Sequence, residues 1–156
     1  MCAACSAGAA GERKTVTMIE TARGTVHEWQ RDHMGHINVR AYMEFLEEAC
    51  WQFYAMLGMT PTLLRSGALH LAAVQQNISY RKELYPGDTV AVRTGVLEMR
   101  EKVLRFRHEL FNSETGDICS VCDFTVVCLN PESRKSQPFP DAVAARAREL
   151  ILPATA

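Results

Sequence analysis

The spacing of apolar residues changes character several times along the chain. From Thr15 to Trp29 it reads as β, with Val16, Met18 and a later Val26, interrupted at Ala22-Arg23-Gly24. Gln30 to His36 reads as a loop. From Asn38 to about Leu57 the period becomes helical. Tyr42, Phe45, Leu46, Ala49, Phe53, Met56 and Leu57 recur at spacings of three and four. Asn38 is a good N-cap, and Gly58 suits the left-handed position after the last turn. At ~1.5 Å per residue the predicted helix is about 30 Å long. Met43, Trp51, Tyr54 and Ala55 are apolar too, off the main stripe. A helix that is apolar nearly all round is buried on most sides, so something must wrap around it.

The remaining pattern supplies a wrapper. Leu69 to Tyr80 reads as a strand with imperfect alternation, and Pro86-Gly87-Asp88 as a turn. Val90, Val92, Thr94 and Val96 alternate with Arg93 and others, and Leu104, Phe106, His108 and Leu110 with Arg105, Arg107 and Glu109. Asn112 to Asp117 reads as a hairpin turn, and Ile118 to Leu129 as a long strand. Short connections make these last three strands antiparallel neighbours. Pro138 and Pro140 end the sheet, and Asp141 is a candidate cap for a short helix, Ala142 to Leu150. The predicted class is α+β: an antiparallel sheet curled around one long central helix.

A length of 156 residues suits one domain with a real core. The organisation expected is a flexible tail over residues 1–14 and a single domain over 15–152. The tail, rich in Ala, Gly, Cys and Ser, lacks the basic and apolar regions of a secretory signal. A net charge of −1 gives no overall field for nucleic acid or acidic membranes, so a polyanionic ligand needs a local basic patch. No apolar run approaches the ~18 residues of a membrane span. Cys2/Cys5 and Cys119/Cys122 have C-x-x-C spacing, which suggests a zinc or redox pair on one reading and free thiols in a reducing cytoplasm on the other. The second is preferred. Residues three apart in a strand face opposite sides, so Cys119 and Cys122 cannot share a metal without a bulge. No metal and no required disulfide are expected.

The chemistry concentrates between the first strand and the helix, in Trp29-Gln30-Arg31-Asp32-His33-Met34-Gly35-His36-Ile37-Asn38-Val39-Arg40-Ala41-Tyr42. A carboxylate precedes a helix start by a few residues, with a glycine between. Free N–H groups there can polarise a carbonyl and stabilise developing negative charge. A nearby carboxylate can attack that carbonyl or take a proton from water. Acyl transfer fits; so does a plain cap or turn role for Asp32.

The run Asp32-x-x-Gly35-His36-x-Asn38-x-x-x-Tyr42 resembles the signature of the 4-hydroxybenzoyl-CoA thioesterase family of hotdog proteins. Glu44-Phe45-Leu46-Glu47-Glu48-Ala49 and the later Tyr80-x-x-Glu83-Leu84-x-Pro86-Gly87-Asp88 also look like that family. The resemblance spans roughly Val26 to Pro140. It implies a hotdog fold and hydrolysis of an acyl-CoA thioester, with coenzyme A as part of the substrate and no separate cofactor. Asp32 matches the catalytic aspartate, acting through a mixed anhydride or an activated water. His36 and Asn38 match residues that shape the site and helix start; Tyr42 matches an aromatic of the first turns. Val39 stands where many relatives have a second Asn.

The same resemblance implies a homodimer or a dimer of dimers, with the thioester at the interface. Arg65-Ser66-Gly67-Ala68-Leu69 is the candidate facing loop, because a glycine permits close backbone approach. Trp29 is a candidate wall of the acyl pocket or a core residue. Trp29, Gly35, His36, Asn38, Tyr42, Gly67 and Ala68 are therefore the expected substrate-binding set around Asp32. His33 and His36 form H-x-x-H without a convincing further ligand pair. Arg81, Lys82, Arg134 and Lys135 are candidates for CoA phosphates or solvated surface. The alternatives are a non-catalytic hotdog module for an acyl thioester or acyl carrier protein, a hotdog dehydratase and, more distantly, a zinc-binding interaction protein. The Trp29-x-x-Asp32-x-x-Gly35-His36 loop is similar to thioesterases of short polar acyl-CoAs.

Overall fold

The structure is a computed structural model that describes residues 17–153. The tail read over residues 1–14, with Cys2 and Cys5, lies outside the described residues. Five antiparallel strands form one sheet in the order β1-β3-β4-β5-β2. They are β1 (Ile19–Thr25), β2 (His70–Tyr80), β3 (Thr89–Met99), β4 (Val103–Asn112) and β5 (Ile118–Leu129). The long helix α1 (Val39–Met56) packs on one face of this sheet, against β1, β3 and β4. Two short helices, α2 (Pro61–Arg65) and α3 (Asp141–Glu149), complete the chain.

The helix limits follow from local chemistry. Asn38 stands in extended conformation, and its side chain accepts a hydrogen bond from the Arg40 amide at 2.8 Å. Gly58 follows the last turn with φ +97, where any side chain is strained. Ala41, Tyr42, Phe45, Leu46, Ala49, Cys50, Phe53 and Tyr54 are buried. Their core partners include Phe106, which contacts Phe53 at 5.1 Å and stacks on Phe124 at 5.2 Å. The helix is less enclosed than its sequence suggests. Met43 is only half-buried, and Trp51 and Met56 are 54% and 47% exposed. One sheet covers one face: off-stripe Tyr54 is buried, whereas off-stripe Trp51 and, against the expectation for the stripe, Met56 remain uncovered.

Several local readings need correction. β1 runs through Ala22-Arg23-Gly24 without interruption. A Cβ on Gly24 would sit 2.6 Å from the Phe45 ring, so this glycine admits α1 onto the strand. The strand ends at Thr25, and Glu28–Gln30 form one turn of 3-10 helix. Helix α2 is too short for periodicity to reveal, although Thr60 and Pro61 are its cap and first residue. The cap of α3 is Pro140; Asp141 lies inside the first turn.

β2 is an edge strand, with a register shift between Ala73 and Gln75 and residues 73–77 exposed. This accounts for its imperfect alternation. β5 also carries a shift: Leu110 faces Ser120, but Phe111 faces Ile118, leaving Cys119 as the extra residue. Cys119 and Cys122 consequently belong to the same buried core cluster, and the face-parity argument fails at the bulge. Cys50, Cys119, Cys122 and Cys128 are free thiols. No group of three or more metal-ligating side chains occurs among the described residues, and no described helix is long and apolar enough to cross a membrane.

Beneath α1 lies a buried polar chain. Thr21 donates to the Val92 carbonyl at 3.3 Å, the Thr94 and Thr21 hydroxyls are 2.8 Å apart, and Thr94 is 2.6 Å from His108 Nδ1. Cys50 Sγ is 3.2 Å from Nε2. With the Thr21 proton committed to Val92, one direction satisfies every group. Thr94 donates to Thr21, Nδ1–H donates to Thr94, and Nε2 accepts from the thiol. Burial pushes His108 down to about 3 and Cys50 up to about 12, so both stay neutral.

Candidate active site

The segment after β1 is fixed at both ends by backbone hydrogen bonds. Val26 N donates to Asp88 O and Gly87 N to Val26 O, both at 2.9 Å, pinning the exit of β1 to the Pro86-Gly87-Asp88 turn. Buried Gln30 closes the next step. Its Oε1 accepts from His27 N at 2.9 Å, its Nε2 donates to Glu44 at 3.1 Å, and its carbonyl accepts from Asn38 N at 2.7 Å. Between these anchors Asp32 N donates to His36 O at 2.9 Å and Gly35 N to Asp32 O at 3.2 Å. Gly35 has φ +93, the backbone state this tight loop requires of its glycine.

The Asp32 side chain is held by the same loop. Oδ1 accepts from Met34 N at 2.8 Å, an Asx-type turn. Oδ2 lies 3.7 Å from His36 Nδ1, and the Asp32 side chain is only 17% exposed. The turn reading is thus physically present, and it occupies one oxygen. The other accepts no hydrogen bond within the described residues. Asn38 caps Arg40, so the Val39 amide, first in α1, takes no part in that cap. The helix dipole adds partial positive charge at this end.

Around Asp32 the structure gathers some predicted residues and separates others. Gly35, His36 and Asn38 belong to the same loop and helix start. Tyr42 is buried one turn on. Its hydroxyl donates to Lys82 O at 2.9 Å, and its ring meets Tyr80 edge-on at 5.1 Å. Burial, first of all, pushes this phenol up to about 12. Trp29 is not core: it is 73% exposed, stacked on His27 at 4.1 Å. With Met34 and Val39, 66% and 59% exposed, it gives the loop an apolar rim.

Gly67 and Ala68 lie elsewhere, at the end of α2, and make no hydrogen bond to the Asp32 loop. Gly67 has φ +75 with open space where a Cβ would stand. Within the chain its role is therefore conformational, and no close approach requires it. Of the basic candidates, Lys82 pairs with Asp117 at 2.7 Å, and Arg81, Arg134 and Lys135 are exposed.

Two features escaped sequence reasoning. A groove of about 740 Å³ opens between α1, α2 and β2, lined among others by Met43, Glu47, Cys50, Trp51, Tyr54 and Leu69. The off-stripe apolar residues of the helix were its signal. No residue of the Asp32 loop lines it. The second is Glu83. Its Oε1 lies 3.6 Å from His36 Nε2, and its motif had been visible without a role.

An antiparallel sheet against one long helix, with this strand order, is the hotdog fold. The family model of the thioesterase-like superfamily matches residues 26–147, and the chain belongs to that superfamily, as a hotdog protein of the thioester-hydrolase class. Among solved structures it is similar to a hypothetical protein of Staphylococcus aureus determined in complex with CoA. That match has TM-score 0.78 and 20% identity, covering 89% of this chain and 91% of the other. It is similar to a 1,4-dihydroxy-2-naphthoyl-CoA thioesterase from Synechocystis, with TM-score 0.74, 17% identity and 83% and 95% coverage. A DHNA-CoA thioesterase from Staphylococcus aureus matches with TM-score 0.74, 20% identity and 85% and 93% coverage. No curated protein matches by sequence.

Proposed function

We propose that this protein hydrolyses an acyl-CoA thioester to the free acid and CoA, with Asp32 as the reacting carboxylate. The observation that carries the reading is the division of labour on that side chain. Oδ1 is tied to Met34 N, and Oδ2 stands beside His36 with no such tie. Either Oδ2 attacks the thioester carbon, expelling CoA thiolate and leaving a mixed anhydride for water, or it takes the proton of an attacking water. The Val39 amide at the helix start is the donor assigned to the carbonyl oxygen. Trp29, Gly35, His36, Asn38 and Tyr42 shape this end. No metal or separate cofactor enters; CoA arrives as part of the substrate. The CoA-bound relative and the naphthoyl-CoA thioesterase support this substrate class.

The active form in this reading is a homodimer or a dimer of dimers. β2 is an unpaired edge of 11 residues with Val74 59% exposed. A free edge of that length invites pairing with a second copy. The groove opens beside it, bordered by Arg65 and Leu69, on either side of Gly67 and Ala68. Two copies joined along β2 bring Asp32 of one towards that groove of the other, which then takes the acyl chain. Four free thiols among the described residues suit a cytoplasmic location.

The test is Asp32→Asn assayed on an acyl-CoA chosen from a screen running from short polar to aromatic and long-chain acyl groups. Turnover is expected to fall at least ~100-fold with mass and melting temperature unchanged. Near-wild-type turnover removes Asp32 from the mechanism. A fully active species with the mass of one chain in light scattering removes the shared site.

A further inference from the structure

The Glu83 motif and the Asp32 motif are 51 residues apart, and the fold joins them backbone to backbone. Ile37 N donates to Leu84 O at 2.8 Å, and the Tyr42 hydroxyl donates to Lys82 O at 2.9 Å. Both sequence neighbours of Glu83 are thus tied to the loop and helix that carry Asp32, and the Leu84 side chain is fully buried. A residue between two such anchors has little backbone freedom. Its side chain is held as well: the Tyr85 hydroxyl donates to Glu83 Oε2 at 2.6 Å. The free oxygen, Oε1, is the one 3.6 Å from His36 Nε2.

Both ring nitrogens of His36 face acceptors, at separations from the two carboxylates longer than a hydrogen bond. Nε2 faces Glu83; Nδ1 faces the Ile37 carbonyl at 3.3 Å and Asp32 Oδ2 at 3.7 Å. An imidazole with an acceptor on one edge only is free to swing about its side-chain bonds. When the ring carries both N–H groups, a second carboxylate on the opposite edge favours one plane of the ring. We propose that Glu83 is a positioning residue for hydrolysis: it holds the His36 ring so that its Nδ1 edge stays on the unbound oxygen of Asp32. Tyr85 sets Glu83, Glu83 sets His36, and His36 sets the hydrogen-bonding environment of the reacting carboxylate. The inference rests on Asp32 being that carboxylate.

Glu83 is itself exposed, so Glu83→Gln removes the charge without opening the core. The expected result is about a tenfold fall in kcat with KM held within about twofold, since the effect reaches the carboxylate through another side chain. His36→Gln loses activity as well, and Glu83→Gln added to it has no further effect, because the link is already broken. A second measurement needs no substrate. The His36 ring resonances in long-range proton–nitrogen spectra shift in Glu83→Gln. Full turnover in Glu83→Gln, independent losses in the double variant, or unchanged ring resonances overturn the proposal. Retained turnover in Asp32→Asn overturns both readings; an inactive Asp32→Asn beside a fully active Glu83→Gln overturns this one alone.

Discussion

Two clusters of polar side chains sit along α1, one at its start and one near its middle. At the start, Asp32, His36 and Glu83 are partly open to solvent, with separations of 3.6 and 3.7 Å and one oxygen of each carboxylate uncommitted. Near the middle, Cys50, His108, Thr94 and Thr21 are buried, and every hydrogen-bonding group is used. Burial holds His108 near 3 and Cys50 near 12, so neither changes charge between those values. A cluster that is satisfied and cannot change charge organises the core. A cluster with spare oxygens beside solvent is the one to which the proposed function gives the chemistry. Both contain a histidine, and only the surroundings separate their roles.

The comparison breaks most directly at His108. His108→Ala leaves a cavity and two stranded partners, and is expected to cost about 3 kcal/mol of stability in urea unfolding. Turnover of the folded fraction is retained. A loss below about 1 kcal/mol would mean that the network contributes little to the core. Asp32→Asn should do the reverse, losing at least ~100-fold in kcat, or about 2.7 kcal/mol of barrier, with the melting temperature unmoved. If both variants lose stability alike, the two clusters do not differ as described.

Acid sharpens the contrast. The folded His108 value, about 3, lies below its ordinary 6.5. Above pH 6.5 the ring is neutral in both states and contributes no pH dependence. As pH falls from 6.5 towards 3, the unfolded chain takes up a proton that the folded chain refuses. Stability is therefore lost at up to about 1.4 kcal/mol per pH unit from this group. His108→Gln should flatten that part of the profile relative to wild type in unfolding curves measured at pH 7, 5 and 4. Parallel profiles would show that His108 is not the neutral core group described. The smallest effect expected is at the cap. Asn38→Ala should lower stability by about 1 kcal/mol, read as a shift of the urea midpoint; an unmoved midpoint would mean the Arg40 contact is not a working cap.

Much of this architecture was readable because its causes are local. Asn38 and Gly58 bracket α1 through capping and a positive φ, both properties of single residues. The alternation of Leu104, Phe106, His108 and Leu110 survives because β4 lies inside the sheet with one face on the helix. β2 alternates poorly for the opposite reason: at the edge, residues 73–77 face solvent whatever their parity. The motif around Asp32 was legible as one candidate loop, since a carboxylate, a glycine and a capping Asn must be close in sequence to share one turn.

What the sequence by itself determined were the long elements, the limits of α1 and the loop that carries the candidate carboxylate. Tertiary structure alone decided which oxygen of Asp32 stays uncommitted, where Glu83 meets His36, that Cys119 occupies a bulge, and that Trp29 stands in solvent. It also decided that His108 is a hub joining Cys50 to Thr94 while His36 faces two carboxylates. Capping and periodicity act over a few residues and leave their mark in order along the chain. Burial, register and long-range pairing depend on which distant strand or loop arrives alongside, and that is settled only when the sheet closes over the helix.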